Sequence, residues 1–392
     1  MINEHLRVVT GDSCRRNPSV FCGANVKKLN EQLLTTRESA LWEKYLPVRL
    51  SVFGSVGYAR ICERHLNCTP RLFVLADGKE SICYPMLLHS TDKLPFAGVH
   101  RGMWDAGSPE FTGPLGQGVS KQFALTFRKR CAAVFRSERI ITEFAHLNPW
   151  TDNSHLLESN CLHYNREIIW VDVSLNPEAL WIDHFAPACR RNISRAQREG
   201  VRILCATTDD EIREFHRIYI QTMQRNHAQP SYYFTHEYFE TIRDELGAHA
   251  RFVLAEYKGQ IIAATLYLHD ETNVFFYLGG SDSSFQNVRP TNALHYDTIC
   301  WAHAAGKKRL ILGGGYKPND GIFHFKSTFS QHRQSFRTYK RVHLEDNYAA
   351  LSQAWRTYYD DHEDELTYFP CYRRGPESMS APLCVRNAPL IA

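Results

Sequence analysis

Two stretches of this chain show the same order of predicted elements, and this repetition is the strongest constraint on the fold. In the first stretch, two β-rich runs flank an Asp77-Gly78 turn, which predicts a hairpin. A loop rich in glycine and proline, a helical pattern over Ser120–Ser137 and another strand follow. The second stretch repeats hairpin, loop, helix and strand after Trp170. We therefore predict an internal duplication of one α/β unit, with its boundary between residues 160 and 175.

The chain length supports more than one domain, because 392 residues exceed what one hydrophobic core usually organises. We predict four segments: a leader without clear periodicity over residues 1–40, a first unit over 41–168, a second unit over 169–345, and a C-terminal helix and tail over 346–392. The predicted fold class is α/β (α+β), with a cleft between the two tandem units.

The composition is that of a globular protein, with 43% hydrophobic and 22% charged residues. The formal net charge is only +4, so contact with a polyanion must depend on a local patch. No apolar run resembles a signal peptide at the N-terminus, and no later run is long enough to span a membrane. These features predict a cytoplasmic protein and leave its oligomeric state open.

The twelve cysteines are scattered and include no Cys-x-x-Cys pair. Without a secretory signal, they indicate reduced thiols rather than disulfides. The segment that most resembles a metal site runs from Cys62 through His65 to Cys68. A closed zinc site needs a fourth ligand, and none is paired nearby. We therefore expect no metal.

The segment Leu310–Phe329 holds the clearest candidate for chemistry. Its apolar strand ends in three consecutive glycines: Gly313, Gly314 and Gly315. Glycine lacks a Cβ, so such a backbone can come close to a ligand. The predicted helix that follows carries Phe325 and Lys326, and a cation there suits an oxygen that becomes negative during acyl transfer. The alternative is a glycine turn followed by an ordinary surface lysine.

A predicted helix at the junction of the units is strongly basic. Its polar residues include Arg190, Arg191, Asn192, Arg195 and Arg198. Residues four apart share a helix face, and guanidinium groups bind phosphate oxygens in pairs. The pattern indicates a face for a nucleotide or for the backbone of tRNA. A solvated basic helix balanced by Glu199 is the alternative interpretation.

These motifs together resemble a known family. The tandem arrangement is joined by SPEFTGPLG at 108–116, CRRNISRAQREGV at 189–201 and LILGGGYKPNDGIFHFKSTFS at 310–330. In this order they resemble the FemAB family of aminoacyl-tRNA-dependent transferases, which consist of two GNAT-type acyltransferase units. The similarity extends roughly from Trp42 to Lys340.

The resemblance implies transfer of an aminoacyl group from aminoacyl-tRNA to an amine, forming an amide bond. The implied acceptor is a muropeptide precursor or a small-molecule or antibiotic intermediate. Some family members carry a long helical hairpin as a tRNA-binding arm, but the chain between Arg225 and Phe252 has no room for one. The resemblance therefore implies an armless type that recognises the acceptor end of tRNA.

The resemblance also implies roles for single residues. Phe325-Lys326 matches the Phe-Lys pair of the family, in which the lysine and a neighbouring backbone N–H stabilise the oxyanion. The match departs at Phe329-Ser330, where the family usually has Phe-Gly. Tyr277 stands where the family has a substrate-contacting tyrosine, and an aromatic core strand is the alternative for this position.

A general base is harder to predict. The attacking amine must lose a proton, so a carboxylate or an imidazole near it is expected unless the substrate or a water serves. The candidates are Glu110 in the loop after the first hairpin, which we also predict to bind substrate, and Glu143 and His146 in the following strand. Each is equally compatible with a structural role.

The loop Asp282–Thr291 decides between two donors. It occupies the place where a CoA-dependent GNAT protein cradles the pyrophosphate with the N–H groups of glycines. This loop has no glycine after Gly280, and Pro290 has no N–H. We therefore predict aminoacyl-tRNA as co-substrate, without a cofactor. Acyl-CoA is the alternative donor, because Arg289 and a helix N-terminus are still present. A non-catalytic binding protein is the third hypothesis, and Lys326 beside the glycines argues against it.

Overall fold

The computed structural model describes residues 29–116, 118–151, 153–315, 319–360 and 368–374. Twelve strands form one mixed sheet. The strands are β1 (Asn30–Leu34), β2 (Thr69–Ala76), β3 (Ser81–Ser90), β4 (Trp104–Gly107), β5 (Ile140–His146), β6 (Leu162–Asp172), β7 (Arg202–Ala206), β8 (Ala250–Tyr257), β9 (Gln260–His269), β10 (Asn273–Ser281), β11 (Arg309–Gly313) and β12 (Arg333–Val342). Their order across the sheet is β1-β2-β3-β4-β5-β12-β6-β11-β10-β9-β8-β7.

The helices cover both faces of this sheet. They are α1 (Ser39–Tyr45), α2 (Val56–His65), α3 (Lys121–Ser137), α4 (Pro177–Ala179), α5 (Pro187–Glu199), α6 (Asp209–Arg225), α7 (His236–Leu246), α8 (Pro290–Ala304), α9 (Gly321–Ser327) and α10 (Glu345–Tyr359). The helix predicted over Ser120–Ser137 is confirmed as α3, because the Ser120 hydroxyl accepts a hydrogen bond from the Phe123 N–H and caps the first turn.

The two halves of the sheet share one topology. Strands β1 to β4 form an antiparallel meander, and after α3 the chain returns as β5, parallel to β4. Strands β7 to β10 repeat the meander, and after α8 the chain returns as β11, parallel to β10. The duplicated α/β architecture predicted from the sequence is confirmed.

The two units share a continuous sheet. Strand β12, from the second half of the chain, lies between β5 and β6 and pairs with both in antiparallel register. Strand β6, which crosses the predicted boundary, pairs in turn with β11. We call β12 and β6 the seam. Backbone hydrogen bonds therefore join the two units across the middle of the molecule.

The predicted leader is too long at its C-terminal end. Residues Asn30–Leu34 form the edge strand β1 and pair with β2, and α1 begins at Ser39. The short run NEQLL shows no clear alternation, because an edge strand that is mostly half-buried does not require it. Residues 1–28 lie outside the described part of the chain.

Separate apolar layers fill the two faces of the second unit. One layer packs beneath α6 and α7 and includes Tyr58 of α2, so a helix of the first unit completes a core of the second. The other packs beneath α5 and α8. A third layer lies between α3 and the first half of the sheet. Side chains of the seam strands belong to the two layers of the second unit: Ile168 and Phe336 to the first, Ile169 and Val171 to the second.

The cysteines at described positions are free thiols. In the segment that resembles a metal site, the Cys68 thiol donates to the carbonyl oxygen of Cys62, and His65 bonds the Thr241 hydroxyl instead. Within the described ranges, no group of three or more His, Cys, Asp or Glu side chains could hold a metal ion. Among the described helices, none is long and apolar enough to cross a bilayer.

The close packing of α6 on β10 depends on Gly280. A Cβ at this position would lie 2.5 Å from Oγ1 of Thr222 and 2.9 Å from the carbonyl oxygen of Ile218. Because one of these atoms is backbone, the helix would have to move. We expect Gly280→Ala to lower the free energy of unfolding by about 1–3 kcal/mol in urea denaturation. Gly321→Ala is the control, since its Cβ would meet nothing within 4 Å. Equal stability of the two variants would contradict this account.

Candidate active site

The three glycines at the end of β11 make room for protein groups. Gly313 has φ +79°, a conformation that favours glycine. A Cβ on Gly314 would lie 3.0 Å from Cδ of Arg166, and one on Gly315 would collide with the carboxyl group of Asp320. The sequence predicts that the missing Cβ atoms admit a ligand. In the structure they admit a cation from β6 and the residue that caps α9.

Two basic side chains converge on this glycine loop. The Nζ of Lys326 donates to the carbonyl oxygen of Gly314 at 2.7 Å. From the seam, Nη1 of Arg166 donates to the carbonyl oxygen of Gly315 at 2.9 Å. Asp320 accepts a hydrogen bond from the Phe323 N–H and fixes the start of α9, which carries the lysine. The carbonyl oxygens of Gly314 and Gly315 thus accept hydrogen bonds from side chains of two different elements, α9 and β6.

Lys326 is not the surface residue of the alternative interpretation, because only 1% of it is exposed. Burial moves its pKa well below the usual value for lysine; Asp320 opposes this shift, and the charge of Arg166 adds to it. A buried amine of this kind becomes a stronger hydrogen-bond partner when a neighbouring oxygen gains negative charge. It therefore favours an oxyanion over a neutral carbonyl.

Phe325 packs against other aromatic rings. Its ring centroid lies 5.8 Å from that of His295 and 5.5 Å from that of Phe329. Both neighbours belong to the apolar layer beneath α5 and α8 or face it. The structure thus gives Phe325 a place in packing, from which it positions α9 and, through α9, Lys326.

Tyr277 lies in an aromatic cluster rather than on an open surface. It is 5% exposed, and its hydroxyl group is 2.6 Å from that of Tyr238 and 3.2 Å from that of Tyr58. A bulge in the pairing of β10 with β9 occurs at this residue. The cluster ties α2 of the first unit to α7 and β10 of the second, which agrees with the aromatic-core interpretation.

A wedge opens between β10 and β11. The two strands pair only as far as Phe275 and Ile311, although β10 continues to Ser281. In the first unit the corresponding gap is bridged, because the N–H of Ser108 donates to Phe144 and that of Thr112 donates to His146. The wedge of the second unit opens beside Gly313, next to the loop that Lys326 holds.

The basic face predicted for α5 is present as a shallow surface depression of about 570 Å³. Its lining residues are Trp181, Arg190, Arg191, Asn192, Ser194, Arg195 and Arg198. The four guanidinium groups differ in whether other protein groups already bind them. Arg190 donates to the carbonyl oxygens of Trp181 and Ile182, and Arg195 is 3.8 Å from Glu199. Arg191 is exposed.

Helix α5 is attached directly to the helix that carries Lys326. The N–H of Ala186, at the N-cap of α5, donates to the carbonyl oxygen of Thr328, at the C-cap of α9, at 2.8 Å. The basic face and the glycine loop are therefore parts of one local assembly.

The candidates for a general base separate onto two sides of the sheet. Glu110 and His146 meet at the seam, with 3.5 Å between Oε1 and Nδ1. Glu143 faces the layer beneath α3 and bonds His343 at 2.8 Å. Successive residues of a strand alternate between faces, so Glu143 and His146 cannot share one site.

The Glu110–His146 contact is not an ion pair. Burial raises the pKa of Glu110 to about 8, although the charge of Arg166 opposes the shift. Burial and the same charge lower the pKa of His146 to about 3. At neutral pH the Glu110 carboxyl group is mostly protonated and the His146 imidazole is neutral. The contact between them is therefore not ionic.

Sequence reasoning missed Arg166 and Asp320. A single arginine within a strand gives no signal, because its position beside Gly315 depends on the pairing of β6 with β11. Asp320 did carry a signal, since an aspartate just before a helix typically caps it.

Comparisons with known proteins agree with this geometry. The acetyltransferase (GNAT) domain family matches residues 185–341. The crystal structure of FemX has a TM-score of 0.63 at 12% identity and covers 82% of this chain and 99% of its own. A conserved protein of unknown function from Bacteroides thetaiotaomicron VPI-5482 has a TM-score of 0.51 at 10% identity, covering 78% and 97%. A search of curated protein sequences found no match.

Residues 185–341 match the acetyltransferase (GNAT) domain family, and this match, on a duplicated fold of the GNAT type, supports an acyltransferase enzyme. Its two units are arranged as in the FemAB-like tandem GNAT proteins, and the resemblance stated from the sequence is confirmed at the level of the fold.

Proposed function

We propose that this acyltransferase moves an aminoacyl group from aminoacyl-tRNA to an amine, forming an amide bond. The observation that carries the proposal is the buried Lys326, whose Nζ holds the Gly314 carbonyl beside the open wedge. The acceptor is a muropeptide precursor or a small-molecule intermediate. The fold shared with FemX supports this assignment.

In this mechanism the ester carbonyl of the donor lies beside the glycine loop. The amine attacks its carbon, and the carbonyl oxygen becomes negative. Even a neutral lysine amine has two N–H groups, and Lys326 uses one on Gly314. Another donates to the oxyanion. Arg166 acts from the seam by holding the Gly315 carbonyl and thus the shape of the loop.

The connection before α8 supports tRNA as the donor. It forms a 3₁₀ turn over Ser283–Val288, followed by Arg289 at φ +58° and Pro290 in the first turn of α8. A backbone cradle for pyrophosphate needs successive free N–H groups, and proline supplies none. Acyl-CoA is the second candidate donor, favoured by the match to an acetyltransferase family.

A donor screen tests the proposal. The full-length protein is incubated with charged total tRNA or with acyl-CoAs, each with a panel of candidate amines, and loss of the ester or thioester is followed. We expect amine-dependent loss of the aminoacyl ester. Amine-dependent loss of the thioester alone would mean that the donor is acyl-CoA rather than aminoacyl-tRNA.

The basic face of α5 gives a second test. Replacing both Arg191 and Arg195 by Ala should weaken tRNA binding, because two phosphate contacts disappear. The slope of log affinity against log salt should become shallower by about 1.5–2. Filter binding over a salt series measures this slope.

The matched control removes two exposed arginines elsewhere, Arg64 of α2 and Arg213 of α6, whose side chains are each 62% exposed. This double Ala variant should keep the original slope. Equal effects of the two double variants would remove α5 from the proposed interface.

A further inference from the structure

Tyr277 is an extra residue in the strand β10, beside the wedge. The pairing register with β9 shifts between Phe276 and Leu278, so Tyr277 has no partner in β9. The pairing of β10 with β11 has already ended at Phe275. A bulge of this kind bends its strand and ends pairing with a neighbour. The course of β10 along the wedge therefore depends on what holds the side chain of Tyr277.

Two other tyrosines hold this side chain. The bulge directs both Tyr277 and Leu278 into the apolar layer beneath α6 and α7. There the Tyr277 hydroxyl group lies 2.6 Å from that of Tyr238 in α7 and 3.2 Å from that of Tyr58 in α2. A tyrosine hydroxyl group both donates and accepts, so Tyr277 can bond both neighbours. Tyr58 and Tyr238 are each 1% exposed, so water does not compete for these bonds.

The first unit places Tyr58 there through a close contact between helices. Gly57 precedes Tyr58 in α2, and a Cβ on Gly57 would lie 2.5 Å from the carbonyl oxygen of Glu245 in α7. Arg60 forms an ion pair with the carboxyl group of Glu245 at 3.3 Å. The Ser55 hydroxyl group accepts from the Tyr58 N–H and caps the first turn of α2. Tyr58 is thus fixed against the second unit.

The first unit has neither the bulge nor the wedge. Its strand β4 pairs with β3 in an unbroken register. The gap that follows β4 is bridged, because the N–H of Ser108 donates to the carbonyl oxygen of Phe144. In the second unit, β10 carries the bulge and the wedge is open. The comparison of the two units therefore links the bulge to the open wedge.

We propose that Tyr58 is a positioning residue for the acyl transfer: its hydroxyl group fixes Tyr277, and Tyr277 holds the bulge that keeps the wedge open beside Lys326. The first unit thereby acts on the chemistry of the second unit without touching the substrate. This inference rests on the proposed function, because the reaction that Tyr58 supports is the one proposed there.

Steady-state kinetics of Tyr58→Phe in the full-length protein test this role, with charged total tRNA and the amine that responds in the donor screen. The variant loses one oxygen atom. We expect kcat to fall about tenfold and the KM values to change little, since small displacements of reacting groups are costly. In a Tyr277→Phe background, Tyr58→Phe should cause no further fall, because the hydroxyl group that it bonds is absent. An unchanged kcat in Tyr58→Phe, or an equal further fall in the double variant, would overturn the proposal.

Tyr372→Phe is the matched control. Tyr372 is also 1% exposed, and its hydroxyl group donates to Asp105 in β4 at 2.6 Å. This variant loses a buried hydroxyl group of the same kind outside the tyrosine cluster. Its stability should fall while its kcat stays at the native value. An equal fall of kcat in both variants would mean that Tyr58 acts only through stability, against the proposal.

Amide hydrogen exchange without substrate separates this inference from the proposed function. Exchange over residues 276–280 should become about threefold to tenfold faster in Tyr58→Phe, because a hydrogen bond that holds the bulge is lost. Tyr372→Phe should keep the native rates there. Native rates in Tyr58→Phe would overturn the proposal whichever donor is used. Faster exchange with no turnover on any donor would support the hold of Tyr58 on the bulge and count against the proposed function alone.

Discussion

Replacing Lys326 by Met should lower turnover about a hundredfold to a thousandfold, the usual loss when one oxyanion donor is removed. The affinities for donor and acceptor should change little, because the interaction strengthens only as charge develops on the oxygen. Steady-state kinetics with both substrates varied measure kcat and each KM. Arg at this position should restore only part of the activity, since its planar group fits a point-charge site poorly.

The fold of this variant should persist. Met fills a similar volume and removes a buried amine that is costly to protonate. Because the pKa of Lys326 is lowered in the folded state, the unfolded chain binds more protons between that value and the ordinary lysine value. The stability of the native protein therefore rises with pH across this range. In Lys326→Met this rise of stability with pH should be absent, and urea denaturation at several pH values measures it.

Lys307 offers a matched control. Its Nζ also donates to a backbone carbonyl, that of Asp270 at 2.5 Å, and burial also lowers its pKa. It lies just before β11, at the end remote from the glycine loop. Lys307→Met should keep near-normal turnover. If Lys326→Met also kept it, the oxyanion role would be wrong.

Replacing Arg373 by Met should lower the free energy of unfolding by about 3–5 kcal/mol, the typical cost of leaving a buried charge without its partner. Its Nε donates to Asp105 at 2.6 Å, and Asp105 is 0% exposed. The same guanidinium donates to the carbonyl oxygens of His89 and Ser90. Tyr372 donates to the other oxygen of Asp105. This segment therefore anchors the C-terminal part of the described chain to β4.

The control for this prediction is an ion pair whose arginine is exposed. Arg202 bonds Glu256 between β7 and β8, and its side chain is 69% exposed. Arg202→Met should cost less than about 1 kcal/mol, because solvent screens such pairs. Urea denaturation of both variants gives the comparison. Similar small losses would mean that Arg373 contributes no more than a surface residue.

Local patterns explain why much of the fold could be predicted. The β2–β3 hairpin follows from two β-rich runs around Asp77-Gly78, and α3 follows from its Ser120 cap and apolar face. The insertion of β12 could not be predicted in this way. Thr338 pairs with His146, far away in the sequence, and no local pattern records such a partner.

In the candidate site, too, local features could be predicted from the sequence and contacts between distant residues could not. The sequence by itself determined the glycines and Lys326, because an unusual run of small residues before a cation is visible in the chain. It also identified Glu110 and His146, although only as separate candidates. The tertiary structure alone decided that these two residues meet, that Glu143 faces away and that Arg166 reaches Gly315. These contacts depend on strand register and on the shared seam, which are set by packing between distant segments.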